Sequence, residues 1–246
     1  MKILILAAGY GTRLYPLVKD TPKSLLPIHG RPLIDFILDK VSGLDGLEQI
    51  IVVTNNKFFS HFQKWAQDKK TSKNKILVIN DRTTSPDDRL GSIGDIGFVL
   101  KEIQVNDDLL VIGGDNLFNY NVDEFIKFAR TKKSKPTIGL FDIHDKEEAK
   151  KFGVVDLDVQ KRVVSFEEKP PLPRSSLISM CFYYFPKSSL ELIDEYIRSG
   201  NKADKAGEYI RWLTAKGDVY GFKFEGKWYD IGSIESYREA ERDFKV

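Results

Sequence analysis

The first half of the chain alternates short apolar runs with longer amphipathic stretches. The apolar runs cover residues 3–8, 50–54, 76–79 and 109–112. They are rich in Ile, Val and Leu and continuously apolar, which is typical of strands buried on both faces of a parallel sheet. Between them, apolar side chains recur at three- and four-residue spacing, as in residues 33–41 and 58–65, and this spacing predicts helices. The pattern therefore predicts an α/β fold with a doubly wound sheet.

After Pro136 the pattern changes to strand-like segments joined by loops. These segments are residues 137–141, 153–157, 163–167 and 179–185. We expect them to extend the same sheet in antiparallel fashion. Two helical patterns at 188–198 and 208–215, a strand pair at 219–224 and 227–231, and a terminal helix from Ile234 complete the prediction. Because no stretch reads as a linker, we expect a single domain over residues 1–246.

Composition excludes several classes of protein. The 246 residues contain 38 Lys and Arg against 36 Asp and Glu, a net charge of +2, so neither a nucleic acid nor an anionic membrane is an expected partner. The apolar start at residues 3–8 is too short to span a bilayer or form a signal core. Cys181 is the only cysteine, which leaves no disulfide within the chain and no cysteine zinc cage. We expect a cytoplasmic protein.

A glycine-rich segment follows the first predicted strand directly. Gly9 and Gly11 allow backbone N–H groups to turn toward an anion, and Arg13 and Lys23 add two cations nearby. The segment is not a dinucleotide fingerprint, because Leu14 stands where the third glycine would be, and it lacks the Gly-Lys-Ser/Thr of a Walker loop. Two cations on such a loop suit a triphosphate, although the glycines alone also fit an ordinary turn between strand and helix.

This segment resembles the signature of the sugar-phosphate nucleotidylyltransferases, the family that includes glucose-1-phosphate thymidylyltransferase and uridylyltransferase. The matching segments are residues 9–17, 21–27, 31–33, 90–96, 111–116, 166–170 and 226–233. The resemblance implies a Rossmann-like mixed sheet of the nucleotide-diphospho-sugar transferase type, with its antiparallel extension binding the sugar. It also implies a reaction in which a nucleoside triphosphate (NTP) and a sugar 1-phosphate, such as glucose 1-phosphate, give a nucleotide sugar and pyrophosphate.

The resemblance assigns roles to individual residues. Arg13 and Lys23 would be catalytic, and Asp115 and Asp230 would hold Mg²⁺, which binds through one or two carboxylates and substrate phosphates. The implied nucleotide-binding residues are Ala8, Gly9, Gly11, Thr12, Arg13, Gly91 and Gly94. The implied sugar-phosphate-binding residues are Gly153, Glu168 and Lys169.

Other interpretations of the same residues stay open at this point. Asp115 alone also fits a capping or turn aspartate, and Glu168 with Lys169 also fits a solvated charge pair at a strand end. Gly91 and Gly94 alone are more often glycines at a helix start.

The chain departs from the family pattern at two places. Where thymidylyltransferases commonly place a glutamine that reads the base, this chain has residues 80–89. Arg82 or Thr83 is the candidate replacement, and the base stays open among thymine, uracil, cytosine and guanine. Cys181 falls near a usual glycine of the sugar pocket. The chain ends at Val246, soon after the last motif, from which we expect a catalytic core with little tail, and the family's frequent oligomers favour a homo-oligomer.

Two other functions remain as alternatives. A cytidylyltransferase for an alcohol phosphate such as phosphocholine shares the opening motif, and Tyr183, Tyr184 and Trp228 are candidates for an aromatic cage around its quaternary ammonium. A non-catalytic nucleotide-sugar sensor could lose the metal carboxylates, whereas this chain retains Asp115 and Asp230.

Overall fold

The computed structural model describes residues 1–69 and 75–245. Its strands are β1 (Lys2–Leu6), β2 (Pro27–Ile28), β3 (Arg31–Pro32), β4 (Gln49–Thr54), β5 (Lys75–Asn80), β6 (Leu109–Gly113), β7 (Asn116–Phe118), β8 (Thr137–Asp142), β9 (Gly153–Leu157), β10 (Val163–Glu168), β11 (Leu177–Phe185), β12 (Tyr220–Lys223) and β13 (Trp228–Asp230). Its α-helices are α1 (Leu33–Val41), α2 (Phe59–Asp68), α3 (Gly91–Glu102), α4 (Val122–Arg130), α5 (Lys146–Ala149), α6 (Glu191–Arg198), α7 (Ala206–Lys216) and α8 (Ile234–Asp243).

Nine of the described strands form one mixed sheet. Seven of them follow the order β10-β9-β11-β6-β1-β4-β5, and β8 joins through β11 and carries β12 on its other side. Strands β1, β4, β5 and β6 are mutually parallel, as their continuous apolar runs predicted. The carboxyl ends of β1 and β6 therefore lie at the same edge, where open α/β sheets bind ligands.

Helices cover both faces of this sheet. Successive residues of β1 alternate between two buried clusters, because side chains on a strand point to opposite faces. Ile3 and Ile5 pack with residues of α1, α2 and α4, whereas Leu4 packs with residues of α3, α6 and α7. The predicted doubly wound α/β fold is confirmed.

The second half of the chain extends the sheet as predicted, with one error in pairing. Strand β11 pairs in antiparallel fashion with β6, β8 and β9, and β9 pairs likewise with β10. The prediction that residues 219–224 and 227–231 form a pair is wrong. Strand β12 instead runs parallel to β8, and β13 runs antiparallel to β7 in a separate two-stranded sheet. That small sheet places β13, which belongs to the motif of residues 226–233, beside the end of β6.

Element boundaries shift by a few residues from the prediction. Strand β1 ends at Leu6, so Ala7 and Ala8 belong to the turn that follows it. A 3-10 turn, Lys187–Ser189, precedes α6, and the terminal helix begins at Ile234 as expected. No helix of the described residues is both long enough and apolar enough to cross a membrane.

Candidate active site

The glycine-rich turn after β1 forms one wall of a cavity of about 270 Å³. Gly11 has a left-handed backbone with φ of 61°, and an added Cβ would lie 3.1 Å from Val18 Cγ2, so this position needs glycine. Asn55 Nδ2 donates to Ala8 O at 2.9 Å and holds the start of the turn. The cavity is lined by Gly9, Tyr10, Gly11, Thr12, Arg13, Leu14, Lys23, Pro86, Arg89, Asp115, Asp230 and Gly232.

Asp115 reaches this cavity because β6 ends beside the glycine-rich turn. Gly114 N donates to Leu6 O at 2.8 Å, which joins the ends of β6 and β1. An added Cβ on Gly114 would lie 2.8 Å from that same oxygen, so the close approach needs a residue without a side chain. Asp115 also forms an ion pair with Lys23. The structure thus brings two of the predicted residues into contact.

Asp230 joins Asp115 through the β7–β13 pair, 115 positions along the chain. Asp230 is the register partner of Asn116, and Ile231 N donates to Asp115 O at 3.1 Å. Trp228 Nε1 donates to Asn116 Oδ1 at 2.6 Å and fixes the same junction. The two carboxylates line both the small cavity and a larger one of about 770 Å³, as does Arg13.

Burial and the neighbouring Asp115 charge raise the pKa of Asp230 to about 6, while Lys23, Arg13 and Lys169 oppose the shift. The causes have opposite signs because the site collects two carboxylates and three cations at one place. No group of three or more His, Cys, Asp or Glu side chains able to hold a metal exists in residues 1–69 and 75–245. Asp115 and Asp230 offer two carboxylates, a set of donors that Mg²⁺ can complete with substrate phosphates and water.

The larger cavity continues from the carboxylates to the antiparallel extension. Glu168 is the register partner of Gly153, and Lys169 N donates to Phe152 O at 3.0 Å. An added Cβ on Gly153 would lie 2.9 Å from Phe166 Cε1. The three predicted sugar-phosphate-binding residues line one wall of this cavity. Burial raises the pKa of Glu168, and the Lys169 ammonium partly offsets this.

Gly207 and nearby Lys205 line the larger cavity at the start of α7. No sequence pattern predicted a role for either residue. An added Cβ on Gly207 would overlap Glu168 Oε2 and lie 2.7 Å from Glu168 Cδ. Because the contact joins residues distant in sequence, no local signal distinguished Gly207 from an ordinary helix-start glycine.

Gly207→Ala is therefore expected to displace the Glu168 carboxylate. The KM for the substrate in the larger cavity should rise roughly tenfold, which corresponds to a loss of about 1.4 kcal/mol of binding free energy. Gly97→Ala is the matched control, since its Cβ would come closest to the flexible end of Ile197 and would lie at an ordinary van der Waals distance of 3.8 Å from Ile193 Cγ2. Alanine favours helices over glycine, so thermal melting should show no loss of stability in the control. An unchanged KM in Gly207→Ala would show that the carboxylate tolerates the displacement.

Two predicted nucleotide-binding glycines lie behind the cavity walls. Gly91 has φ of 77°, and an added Cβ would lie 2.8 Å from Asp204 N, while Gly94 packs near Ala203. Ile93 N donates to Ala203 O at 2.9 Å. The structure thus gives both glycines a packing reason, namely the close approach of α3 to the loop before α7.

The two candidates for reading the base differ in position. Arg82 Nη2 donates to Glu102 Oε1 at 3.0 Å, and the guanidinium of Arg82 lies over the Phe98 ring. Thr83 is buried and contacts Tyr10, a residue of the small cavity. Cys181 lines the larger cavity, where burial and the charges of Asp115 and Asp230 raise the pKa of its thiol.

Several known proteins resemble this chain over nearly its whole length. Residues 2–245 match the family model described as nucleotidyl transferase. Among curated proteins, the chain is 30% identical over 243 residues to the bifunctional protein GlmU of Methanocaldococcus jannaschii, covering 98% of this chain and 54% of that protein. It is 32% identical over 250 residues to a glucose-1-phosphate adenylyltransferase of Thermotoga neapolitana, covering 96% of this chain and 59% of the relative. The chain thus spans little more than half the length of these relatives.

Solved structures show the same fold. A protein described as a glucose-1-phosphate thymidylyltransferase from Bacillus anthracis, in complex with sucrose, superimposes with a TM-score of 0.87 at 24% identity over 100% of this chain and 97% of that one. A UDP-glucose pyrophosphorylase complexed with UDP-glucose gives 0.80 at 23% identity over 98% and 96% of the two chains. With the family model spanning nearly every residue, the chain belongs to the nucleotidyl transferase family.

Proposed function

We propose that this protein transfers a nucleoside monophosphate from an NTP to a sugar 1-phosphate, forming a nucleotide sugar and pyrophosphate. One observation carries the proposal: Arg13, Asp115 and Asp230 line both a cavity walled by a glycine-rich turn and a second cavity walled by Glu168 and Lys169. Two substrates bound in these cavities would meet at the carboxylates. The similarity to proteins named for their action on glucose 1-phosphate supports the same reaction.

The reaction needs alignment of two anions more than acid or base catalysis. A phosphate oxygen of the sugar 1-phosphate attacks the α-phosphorus, a new P–O bond forms, and the bond between the α-phosphorus and the bridging oxygen breaks as pyrophosphate leaves. The nucleophile is already ionised, so no side chain has to remove a proton. Backbone N–H groups of residues 9–12 would hold the triphosphate, and Arg13 and Lys23 would stabilise the negative charge on the transferring phosphoryl group.

Asp115 and Asp230 are the residues that would hold Mg²⁺. When bound, the ion would supply positive charge to the phosphoryl oxygens and a template for the two substrates. Lys23 pairs with Asp115 and lines the small cavity, where its ammonium would also meet the phosphates of the substrate.

Lys169→Ala is expected to raise the KM for sugar 1-phosphate at least tenfold and to change the KM for NTP less than twofold. The ammonium lies in the larger cavity, and a charge-assisted hydrogen bond is worth about 1.5–3 kcal/mol. Initial-rate kinetics with each substrate varied in turn measure both constants. Lys150→Ala is the control, because Lys150 pairs with exposed Glu147. A larger effect on the NTP would assign this loop to the nucleotide.

A pyrophosphate-release screen tests the function itself. Each NTP is paired with a panel of sugar 1-phosphates and with phosphocholine, with Mg²⁺ present. ATP belongs in the screen because one relative is a glucose-1-phosphate adenylyltransferase, which widens the four bases considered from the sequence. Turnover with phosphocholine alone would favour the cytidylyltransferase alternative, and binding without turnover of any pair would favour a sensor.

Several predictions from the sequence stay predictions. They are the single domain over residues 1–246, the cytoplasmic location, the homo-oligomer and the absence of nucleic-acid partners.

A further inference from the structure

Two buried carboxyl groups lie behind the small cavity and take no part in the proposed chemistry. Asp81 follows β5 and is 4% exposed, and Asp95 lies on α3 and is 6% exposed. The two carboxyl groups lie close enough for each to affect the pKa of the other. Two ionised carboxylates at this depth would repel each other strongly, so one of them holds a proton.

Two buried carboxyl oxygens without hydrogen-bond partners in the part of the chain that the structure describes indicate where this proton lies. Asp81 Oδ2 and Asp95 Oδ1 are both buried without a donor among the described residues. One proton shared between the two carboxyl groups supplies a partner to both sides. Burial and the Asp81 charge raise the pKa of Asp95 to about 8, whereas two hydrogen bonds from Thr83 oppose the rise in the pKa of Asp81. Of the two, Asp95 is therefore the carboxyl group that holds the proton more readily.

A directed chain of hydrogen bonds leads from this pair to the cavity. Thr83 donates to Asp81 Oδ1 from its backbone N at 2.7 Å and from its hydroxyl at 2.8 Å. Because the only hydroxyl hydrogen of Thr83 is then used, Tyr10 must donate in the contact of 3.2 Å between the two hydroxyls. Burial raises the pKa of Tyr10, so this hydrogen is retained. Tyr10 stands between Gly9 and Gly11 in the wall of the small cavity.

We propose that Asp95 is a positioning residue for the nucleotide: its proton, shared with Asp81, fixes Thr83 and thereby clamps Tyr10 and the glycine-rich turn in the geometry that binds the triphosphate. This inference rests on the proposed function, because it takes the small cavity as the nucleotide site. Loss of the proton would place two negative charges side by side and open the clamp.

The surrounding charges do not replace the proton. Asp88 acts on both Asp81 and Tyr10 and is itself an anion, held by Thr84 and Ser85. Three ion pairs hold charged groups of α3 and of the elements packed on it. These pairs are Lys2 with Glu48 at the start of β1, Lys101 with Asp194 on α6, and Arg211 with Glu208 on α7.

The test is the dissociation constant of the best NTP from the screen, measured by titration calorimetry between pH 7 and pH 9. Phosphates lose their last proton near pH 6, so the ligand charge changes little over this range. The parent protein should bind the NTP about tenfold more weakly at pH 9 than at pH 7. Only about one tenth of Asp95 is protonated at pH 9, and the apparent affinity scales with the fraction of the protein that is able to bind.

Two variants separate the proton from the fold. Asp95→Asn keeps a donor toward Asp81 at every pH. Its dissociation constant for the NTP should therefore lie within twofold of the parent's at pH 7 and should stay the same at pH 9. Asp95→Leu removes the donor and should bind about tenfold more weakly throughout. Asp35→Asn is the control: Asp35 is equally buried and accepts from Trp65 and Lys69 on another part of the fold, so its pH profile should follow the parent.

The outcomes are distinct. A parent that binds no NTP would remove both the proposed function and the clamp. If the parent binds the NTP and the affinity of Asp95→Asn still falls tenfold between pH 7 and pH 9, the clamp is overturned and the proposed function stands. If Asp95→Leu does not fold, the comparison of Asp95→Asn with the parent still decides, because the asparagine preserves size and hydrogen bonding.

Discussion

Asp115→Asn and Asp230→Asn are each expected to lower kcat at least a hundredfold while the fold stays intact. The substitution keeps the shape of the side chain and removes the charge that would hold a divalent cation between the two substrates. For Asp230 the expectation on stability is specific. Burial and the Asp115 charge raise the pKa of its carboxyl, so removing this charge relieves repulsion, and the melting temperature should stay equal or rise.

Pyrophosphate release at saturating substrates measures kcat, and a Mg²⁺ titration shows whether the concentration needed for half-maximal rate increases. Asp39→Asn is the matched control, because Asp39 forms an exposed ion pair with Arg31 at 2.8 Å and surface pairs contribute little. Near-normal kcat in both active-site variants would mean that the metal site has been placed on the wrong carboxylates.

Arg13→Ala is expected to lower kcat by roughly two to three orders of magnitude, the usual effect of removing one preorganised donor to the transition-state charge. Arg13 lines both cavities and has no ion-pair partner in the described part of the chain, so its guanidinium is available to both substrates. Arg13→Lys should recover part of the rate, because a lysine restores the charge without the bidentate geometry.

The measurement is kcat and both KM values, with Arg31→Ala as a surface control. Arg31 contacts the Phe36 ring at 4.8 Å and pairs with Asp39, and its loss should leave turnover unchanged. An Arg13→Ala variant with normal kcat and a raised KM for NTP would show that this residue binds the ground state only.

The prediction of the fold succeeded where local pattern and burial agree. The runs that became β1, β4 and β6 are buried on both faces, and the edge strand β5 is partly buried, so hydrophobicity alone marks them. The pairing of β12 with β13 failed because proximity in the chain suggested a hairpin. Their actual partners, β8 and β7, lie about 80 and 110 positions earlier, and no periodicity encodes such a distance.

The candidate site shows the same division. The glycine-rich turn, Lys23 and Asp115 were found because a strand end, glycines and charges stand together in the sequence. The structure adds Gly207 against Glu168 and Asp95 against Asp81, contacts that form only when separate helices pack onto the sheet. The resemblance placed Gly91 at the nucleotide, which stays a prediction; the structure adds that a Cβ at this position would meet Asp204.

The sequence by itself determined the kinds of element, their order and the chemical groups available for phosphate and sugar. These depend on short-range properties, namely the periodicity of apolar side chains and the backbone freedom of glycine at a turn. The family resemblance paired Asp230 with Asp115, but only the tertiary structure showed the contacts that join them, the set of residues that borders two cavities, and the approach of Asp95 to Asp81. Such facts depend on which distant segments share a buried boundary, where desolvation makes each charge sensitive to its neighbours.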